Sequence, residues 1–124
     1  MYLETQPQRF LNYLILEDSN KNIIVEKRVE NGIWKNLYEF KLVETPQAVP
    51  LESLITTIKN DFNPKQVILK NETPLIHKLS HQHLHIRFFE LEFSSEIEAA
   101  KPLETIMKLP FPIVIHKFIE ANYL

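Results

Sequence analysis

The chain has no cysteine and one glycine, Gly32, among its 124 residues. Without cysteine there is no disulfide, no thiolate metal site, no cysteine nucleophile and no iron–sulfur cluster in this segment. A phosphate-binding P-loop needs two glycines and a dinucleotide fingerprint three, so a single glycine removes both. Arginine is also scarce, with only Arg9, Arg28 and Arg87. Lys and Arg total 14 against 16 Asp and Glu, a formal net charge of −2. A stand-alone nucleic-acid binder draws most of its affinity from phosphate neutralisation and carries a basic excess. This chain is therefore expected to bind DNA weakly alone, and to contribute where a partner domain supplies phosphate contacts. The apolar runs are short and interrupted by charge, so no transmembrane helix and no membrane partner are expected. Met1-Tyr2-Leu3-Glu4 lacks the basic start and apolar stretch of a signal peptide. A cytoplasmic location is the expectation.

What is present suits one folded domain: 44% hydrophobic and 24% charged residues, with no room for two independent cores. Residues 1–9 read as a connector or tag remnant and 10–124 as the domain. Phe10 to Leu16 is a strand candidate, followed by the turn Asp18-Ser19-Asn20-Lys21-Asn22, whose Asn and Asp are expected at positive φ. Ile23 to Val29 is expected to complete a hairpin with it. After Asn31-Gly32 comes a short strand through Leu37 to Leu42. Leu51, Leu54, Ile55, Ile58 and Phe62 follow helical spacing after Pro50, predicting a helix over 50–61. Strands are expected at Lys65–Lys70, Pro74–Leu79 and His83–Phe93, with a break near Ser80. A short helix from Pro102 to Lys108 and a final helix from Pro112, bearing Val114, Ile115, Phe118 and Ile119, close the chain. Helices that do not simply alternate with strands predict an α+β sandwich on a mixed sheet.

Four of the five histidines lie in His77-Lys78-Leu79-Ser80-His81-Gln82-His83-Leu84-His85. Imidazole binds metals, moves protons and hydrogen-bonds base edges. On an unbroken strand His77, His81, His83 and His85 would share a face, with neighbours two apart about 7 Å from one another. A zinc or iron site also needs further ligands and supporting hydrogen bonds, and His116 on the last helix has no evident partner. No metal is expected. A polar, partly solvated strand face explains His83 and His85, with Leu84, Ile86 and Phe88 opposite. It explains His77-x-x-Ser80-His81 less well, because a Ser beside a His at a strand break is where side chains and free amides meet ligands. No Gly-x-Ser-x-Gly elbow surrounds Ser80, so hydrolase chemistry is not indicated. Glu90 and Glu92 are expected to face solvent.

A second constellation is Lys27-Arg28, then Gly32-Ile33-Trp34, then Leu37-Tyr38-Glu39-Phe40. It fits a hairpin with aromatic packing, and it is also how Nudix-like folds open. There the following helix bears a glutamate cluster that holds magnesium for pyrophosphate cleavage. The helix here has only Glu52 and Asp61, nine positions apart.

Taken in order, these blocks resemble the C-terminal domain of the MutY family of adenine DNA glycosylases, a Nudix-like domain without the Nudix box. The resemblance rests on Lys27-Arg28, Gly32-Ile33-Trp34-x-x-Leu37-Tyr38-x-Phe40, His77-x-Leu79-Ser80-His81, and Leu109-Pro110 before the last helix. It runs from about Phe10 to the C-terminus. Asn36 stands for a second glycine, Lys41 for a proline and Leu79 for a phenylalanine. The resemblance implies a Nudix-like α/β/α sandwich that is not itself an enzyme and reads 8-oxoguanine opposite adenine in base excision repair. The Ser of the loop accepts from the N7–H that 8-oxoguanine has and guanine lacks. Ser80 is thus the implied lesion contact, with Leu79 and His81 as loop framework and His77 and Trp34 in support. The implied partners are double-stranded DNA with an 8-oxoguanine:adenine pair and the catalytic domain of the same enzyme, where an iron–sulfur cluster would reside. No cofactor is expected in this segment, and a monomer is expected. The alternative is a stand-alone Nudix-like nucleotide hydrolase or ligand-binding domain with an unconventional site.

Overall fold

A computed structural model describes residues 6–124. Residues 1–5, most of the expected connector's length, lie outside the described part. Seven strands and three helices follow in order: β1 Gln8–Glu17, β2 Glu26–Lys27, β3 Tyr38–Glu39, β4 Lys41–Thr45, α1 Leu51–Phe62, β5 Gln66–Leu69, β6 Leu75–Lys78, β7 His83–Glu92, α2 Leu103–Ile106 and α3 Ile113–Tyr123. β1 and β7 are the parallel centre of a mixed sheet. β4 lies antiparallel outside β1, and β5 and β6 lie antiparallel on successive halves of β7. Where β5 leaves β7 and β6 has not yet joined, Asn71 fills the gap in the ladder. Its amide donates to the Ile86 carbonyl at 2.9 Å, and its oxygen accepts from the Phe88 N–H at 2.8 Å.

Strand alternation sends side chains to two separate cores. Leu11, Tyr13 and Ile15 of β1 join Leu84, Ile86 and Phe88 of β7 under α2 and α3. Leu14, Phe89 and Leu91 face the other way, against Leu54 and Ile58 of α1. Helices thus cover both faces, giving the α/β/α sandwich. All three helices start after a proline (Pro50, Pro102, Pro112) whose carbonyl accepts the first helical bond. Proline at this point has the required φ and no amide to leave unpaired. Asn63 ends α1 at φ 50°, a left-handed cap.

Three expectations change. β1 starts at Gln8, so Gln8 and Arg9 of the expected connector are strand residues. The hairpin of β1 with Ile23–Val29 does not form. Both edges of β1 are taken by β4 and β7, and residues 11–15 are buried on both faces, which the charged run Glu26-Lys27-Arg28 could not join. Ile23 alone returns, through single bridges to Glu17 and Lys101, and Glu26–Lys27 pairs with Tyr38–Glu39 in a separate ribbon. In the turn after β1 the positive φ falls on Lys21, at 66°, rather than on Asn or Asp. Asp18 instead accepts from the amides of Asn20, Asn22 and Ile97, which holds the turn from its side chain.

Candidate functional site

β6 and β7 form a hairpin whose last register pair is Lys78 with His83, closed by the Leu79 N–H donating to the Gln82 carbonyl at 2.8 Å. Ser80 and His81 form its exposed tip. The amides of neither residue donate to a protein group among the described residues. Leu79 turns inward and packs on the α3-side core, beside the partly buried Ile33 and Trp34.

The hairpin breaks the shared parity expected for the histidines. His77 lies opposite Leu84 and so faces the α3 side, with its ring 6.4 Å from that of Trp34. His83 and His85 face the α1 side, beyond the end of α1. His85 stacks on Phe10 at 4.7 Å and bonds to Gln8, whose amide also meets His83 Nδ1 at 3.2 Å.

The Trp34 segment is built on unusual backbone. Gly32 has φ 128°, Trp34 61° and Asn36 71°. A Cβ on Gly32 would meet nothing within 4 Å, so conformation rather than space selects glycine there. Asn36 takes the left-handed conformation that its replacement of a glycine requires. For a bulky residue like Trp34 the same region costs roughly 1–3 kcal/mol, held by its surroundings. Those surroundings are explicit. Asn36 N–H donates to Arg28 O at 2.7 Å, Leu37 N–H to Trp34 O at 3.0 Å, and Arg28 Nε to Ile33 O at 3.2 Å. Arg28 Nη1 in turn grips both oxygens of buried Glu39, at 2.9 and 3.1 Å, and Glu39 accepts from the hydroxyl of Tyr13 at 2.9 Å. Tyr13 is fully buried. Burial, followed by the Glu39 charge, raises its phenol well above the ordinary tyrosine range and keeps it a donor. Sequence reading missed this triad. Its signal was Glu39 at an inward position between Tyr38 and Phe40.

At the far end of the sheet, about 30 Å along β7 from the hairpin tip, Glu17, Glu90 and Glu92 bring carboxylate oxygens within 4.8 Å of one another. Glu90 is 9% exposed, contrary to the solvent-facing position expected. It shares the face of Leu84, Ile86 and Phe88, where α3 brings the Tyr123 hydroxyl within 2.8 Å; Lys70 lies 3.8 Å away. Lys21 pairs with Glu17 at 3.2 Å. Glu17 and Glu90 have protein partners, and all three acids lie away from the hairpin.

A NUDIX domain family model matches residues 12–121. The chain belongs to the NUDIX domain family. Solved structures similar to this NUDIX domain include the C-terminal domain of mouse MUTYH in complex with human PCNA (15% identity, 90% of this chain and 85% of that one, TM-score 0.61). A MutT protein from Methanosarcina mazei Go1 is similar at 11% identity over 96% and 95% of the chains, TM-score 0.62. The NUDIX domain of Shewanella oneidensis NrtR complexed with ADP ribose matches at 9% identity over 98% and 91%, TM-score 0.60. No curated protein matches the sequence. The magnesium site of NUDIX hydrolases does not fit α1 of this NUDIX domain. Its acids are Glu52 and Asp61, both exposed and about 13 Å apart along the axis. Two carboxylates so separated cannot share one ion.

A groove of about 630 Å³ opens on the α3 face. Its floor is Phe88 on Phe118, stacked at 3.9 Å, and its rim carries Lys70, Asn71, Lys117 and Asn122.

Proposed function

We propose that this chain is a lesion-reading NUDIX domain of the MutY type, working beside a separate adenine glycosylase domain and without hydrolytic chemistry of its own. The observation that carries this reading is the hairpin tip. Leu79 packs, partly buried, against the α3-side core, and the exposed tip beyond it carries the Ser80 hydroxyl and two amides that have no protein partner among the described residues. Those groups suit 8-oxoguanine: the hydroxyl accepts from N7–H, and an amide donates to the carbonyl at C8. Undamaged guanine offers an acceptor at N7 and no C8 oxygen. Leu79, in the place of the family's phenylalanine, supplies the anchor rather than an aromatic surface, and His77 against Trp34 braces the hairpin from behind.

Binding of the chain to matched duplexes with 8-oxoguanine:adenine or guanine:adenine tests the reading. We expect a preference for the lesion that Ser80→Ala removes while leaving the melting temperature unchanged. Equal affinity of the unaltered chain for both duplexes would refute it.

The groove on the α3 face supports a second reading, a ligand-binding domain. Its volume and mixture of apolar floor and polar rim suit a planar aromatic ligand bearing an anionic group. Titration with ADP-ribose, the ligand of the NrtR NUDIX domain, tests it. Heat on binding that Phe118→Ala abolishes would favour this reading over the first.

A further inference from the structure

The α1 side of the sheet is only half covered. Helix α1 packs on Leu14, Phe89 and Leu91, at the C-terminal ends of β1 and β7. Toward the hairpin the same face presents Arg87, His85, His83 and Lys78. Arg87 is half-buried on central strand β7, yet its guanidinium has no hydrogen bond or ion pair to another side chain among the described residues. It borders a pocket of about 120 Å³ with Phe10, Asn12, Thr45, Pro74 and His85, and no acid lines that pocket. The cation nearest in chain register on β1, Arg9, is spent on Glu44 on the opposite face.

Hydrogen bonding sets the state of the neighbouring rings. The Gln8 amide nitrogen donates to the Gln6 carbonyl at 2.9 Å and meets His83 Nδ1, while its oxygen meets His85 Nε2. An amide oxygen only accepts, so His85 carries its proton on Nε2. An amide nitrogen only donates, so His83 accepts on Nδ1 and carries its proton on Nε2. His83 therefore holds a free N–H donor. Lys78 stands directly across the hairpin from it. From Arg87 to His83 is about 13 Å along the strand, with donors at both ends.

We propose that this open half-face is a phosphate-binding surface for a nucleic-acid backbone running past the hairpin tip, anchored by Arg87 and continued by His83 and Lys78. The proposal rests on the lesion-reading function in taking duplex DNA as the occupant. Charge complementarity argues for it: no acid lines the pocket beside Arg87, and Arg87 and His83 on β7 with Lys78 on β6 share one face of the two strands that the Ser80 tip joins. It also reconciles a net negative chain with DNA binding, since the cations need only be concentrated on one patch.

The test is fluorescence anisotropy of the intact chain with a short labelled undamaged duplex, over salt from about 50 to 200 mM. Arg87→Gln should weaken binding several-fold and lower the slope of log affinity against log salt by about 0.9, the loss of one phosphate contact. Arg87→Lys should keep the slope. An unchanged slope in Arg87→Gln overturns the proposal. So does an equal loss in Arg87→Lys, which would mark a packing role for the guanidinium. Inorganic phosphate alone provides the other arm. If it binds tightly at Arg87 while the duplex does not bind, the surface is a small-anion site and the nucleic-acid assignment fails. The two readings separate cleanly. Loss of lesion preference in Ser80→Ala with no effect of Arg87→Gln sinks only the phosphate surface. A salt slope that responds to Arg87 without any lesion preference sinks only the lesion reading.

Discussion

Glu39 holds together the segment that carries Trp34, and replacing it should reveal that dependence. The carboxylate is 8% exposed and receives Tyr13 at 2.9 Å and Arg28 at 2.9 and 3.1 Å. Glu39→Ala removes the acceptor of a fully buried hydroxyl and leaves a guanidinium, itself on a side chain only 14% exposed, without its counter-charge. Breaking one side of such a pair costs about 3–5 kcal/mol, chiefly from the uncompensated charge. For a domain of this size that corresponds to a drop of roughly 10–20 °C in melting temperature. Removing both partners as Arg28→Met with Glu39→Met should cost less than the sum of the single changes, because no charge is then stranded. The loop should respond specifically. Arg28 also holds the Ile33 carbonyl through Nε, so the amides of Asn36 and Leu37 should exchange with solvent faster in Glu39→Ala than the drop in global stability accounts for. Thermal melts with amide exchange measure both effects. A Glu39→Ala protein within about 1 kcal/mol of the original, or additive single and double variants, would show that the triad is not the tie described.

Alkali provides an independent check on the same network. The phenol of Tyr13 is raised by burial and then by Glu39, so the folded state keeps a proton that the unfolded chain loses above about pH 10. That contribution is complete below pH 10 and should fall by about 1.4 kcal/mol per pH unit above it. Denaturant titrations from pH 9 to about 12 should show a shallower decline in Tyr13→Phe than in the original chain; parallel curves would contradict the assignment. At Asn36, whose φ is 71°, Asn36→Gly should leave stability within about 0.5 kcal/mol, whereas Asn36→Ala should cost about 1 kcal/mol. Equal effects of the two in chemical denaturation would mean that backbone conformation is not what selects Asn there.

Sequence reading worked where the information was local. The spacing of Leu51, Leu54, Ile55, Ile58 and Phe62 predicts a helix over 50–61, and α1 occupies Leu51–Phe62. Leu84, Ile86 and Phe88 point to the core as their alternation requires. Reading failed where the partner is remote. β1 pairs with β7 across more than sixty intervening residues, and nothing in Phe10–Leu16 favours that partner over nearby Ile23–Val29. Glu90 was misplaced for a related reason. It continues the inward alternation of Leu84, Ile86 and Phe88, and α3, more than twenty residues later, brings the Tyr123 hydroxyl that lets a carboxylate sit there at 9% exposure. The histidine run suffered from one local unknown, the turn at Ser80-His81, because reversing the chain there also reassigns His77 to the opposite face.

That reversal sends the histidines to separate faces, an arrangement that metal binding tests directly. His77 lies against Trp34 on the α3 side, His81 is at the tip, and His83 and His85 lie on the α1 side with Gln8 between their rings. At most two of the four share a face at chelating distance. Among the described residues the one group able to bring three ligand atoms together contains no histidine. A three- or four-ligand zinc site of micromolar affinity would, at a hundredfold excess over its dissociation constant, stabilise the fold by about 2.7 kcal/mol. In a domain of this length that is a rise of about 10 °C in melting temperature. The separated geometry predicts that zinc at such a concentration leaves the melting temperature within about 1–2 °C, since a two-histidine surface pair adds little over free imidazole. Scanning calorimetry with and without zinc measures this. A rise of about 10 °C that His77→Gln and His83→Gln each abolish would require both residues to reach one ion, and therefore a hairpin folded differently from the one that places Ser80 at its tip.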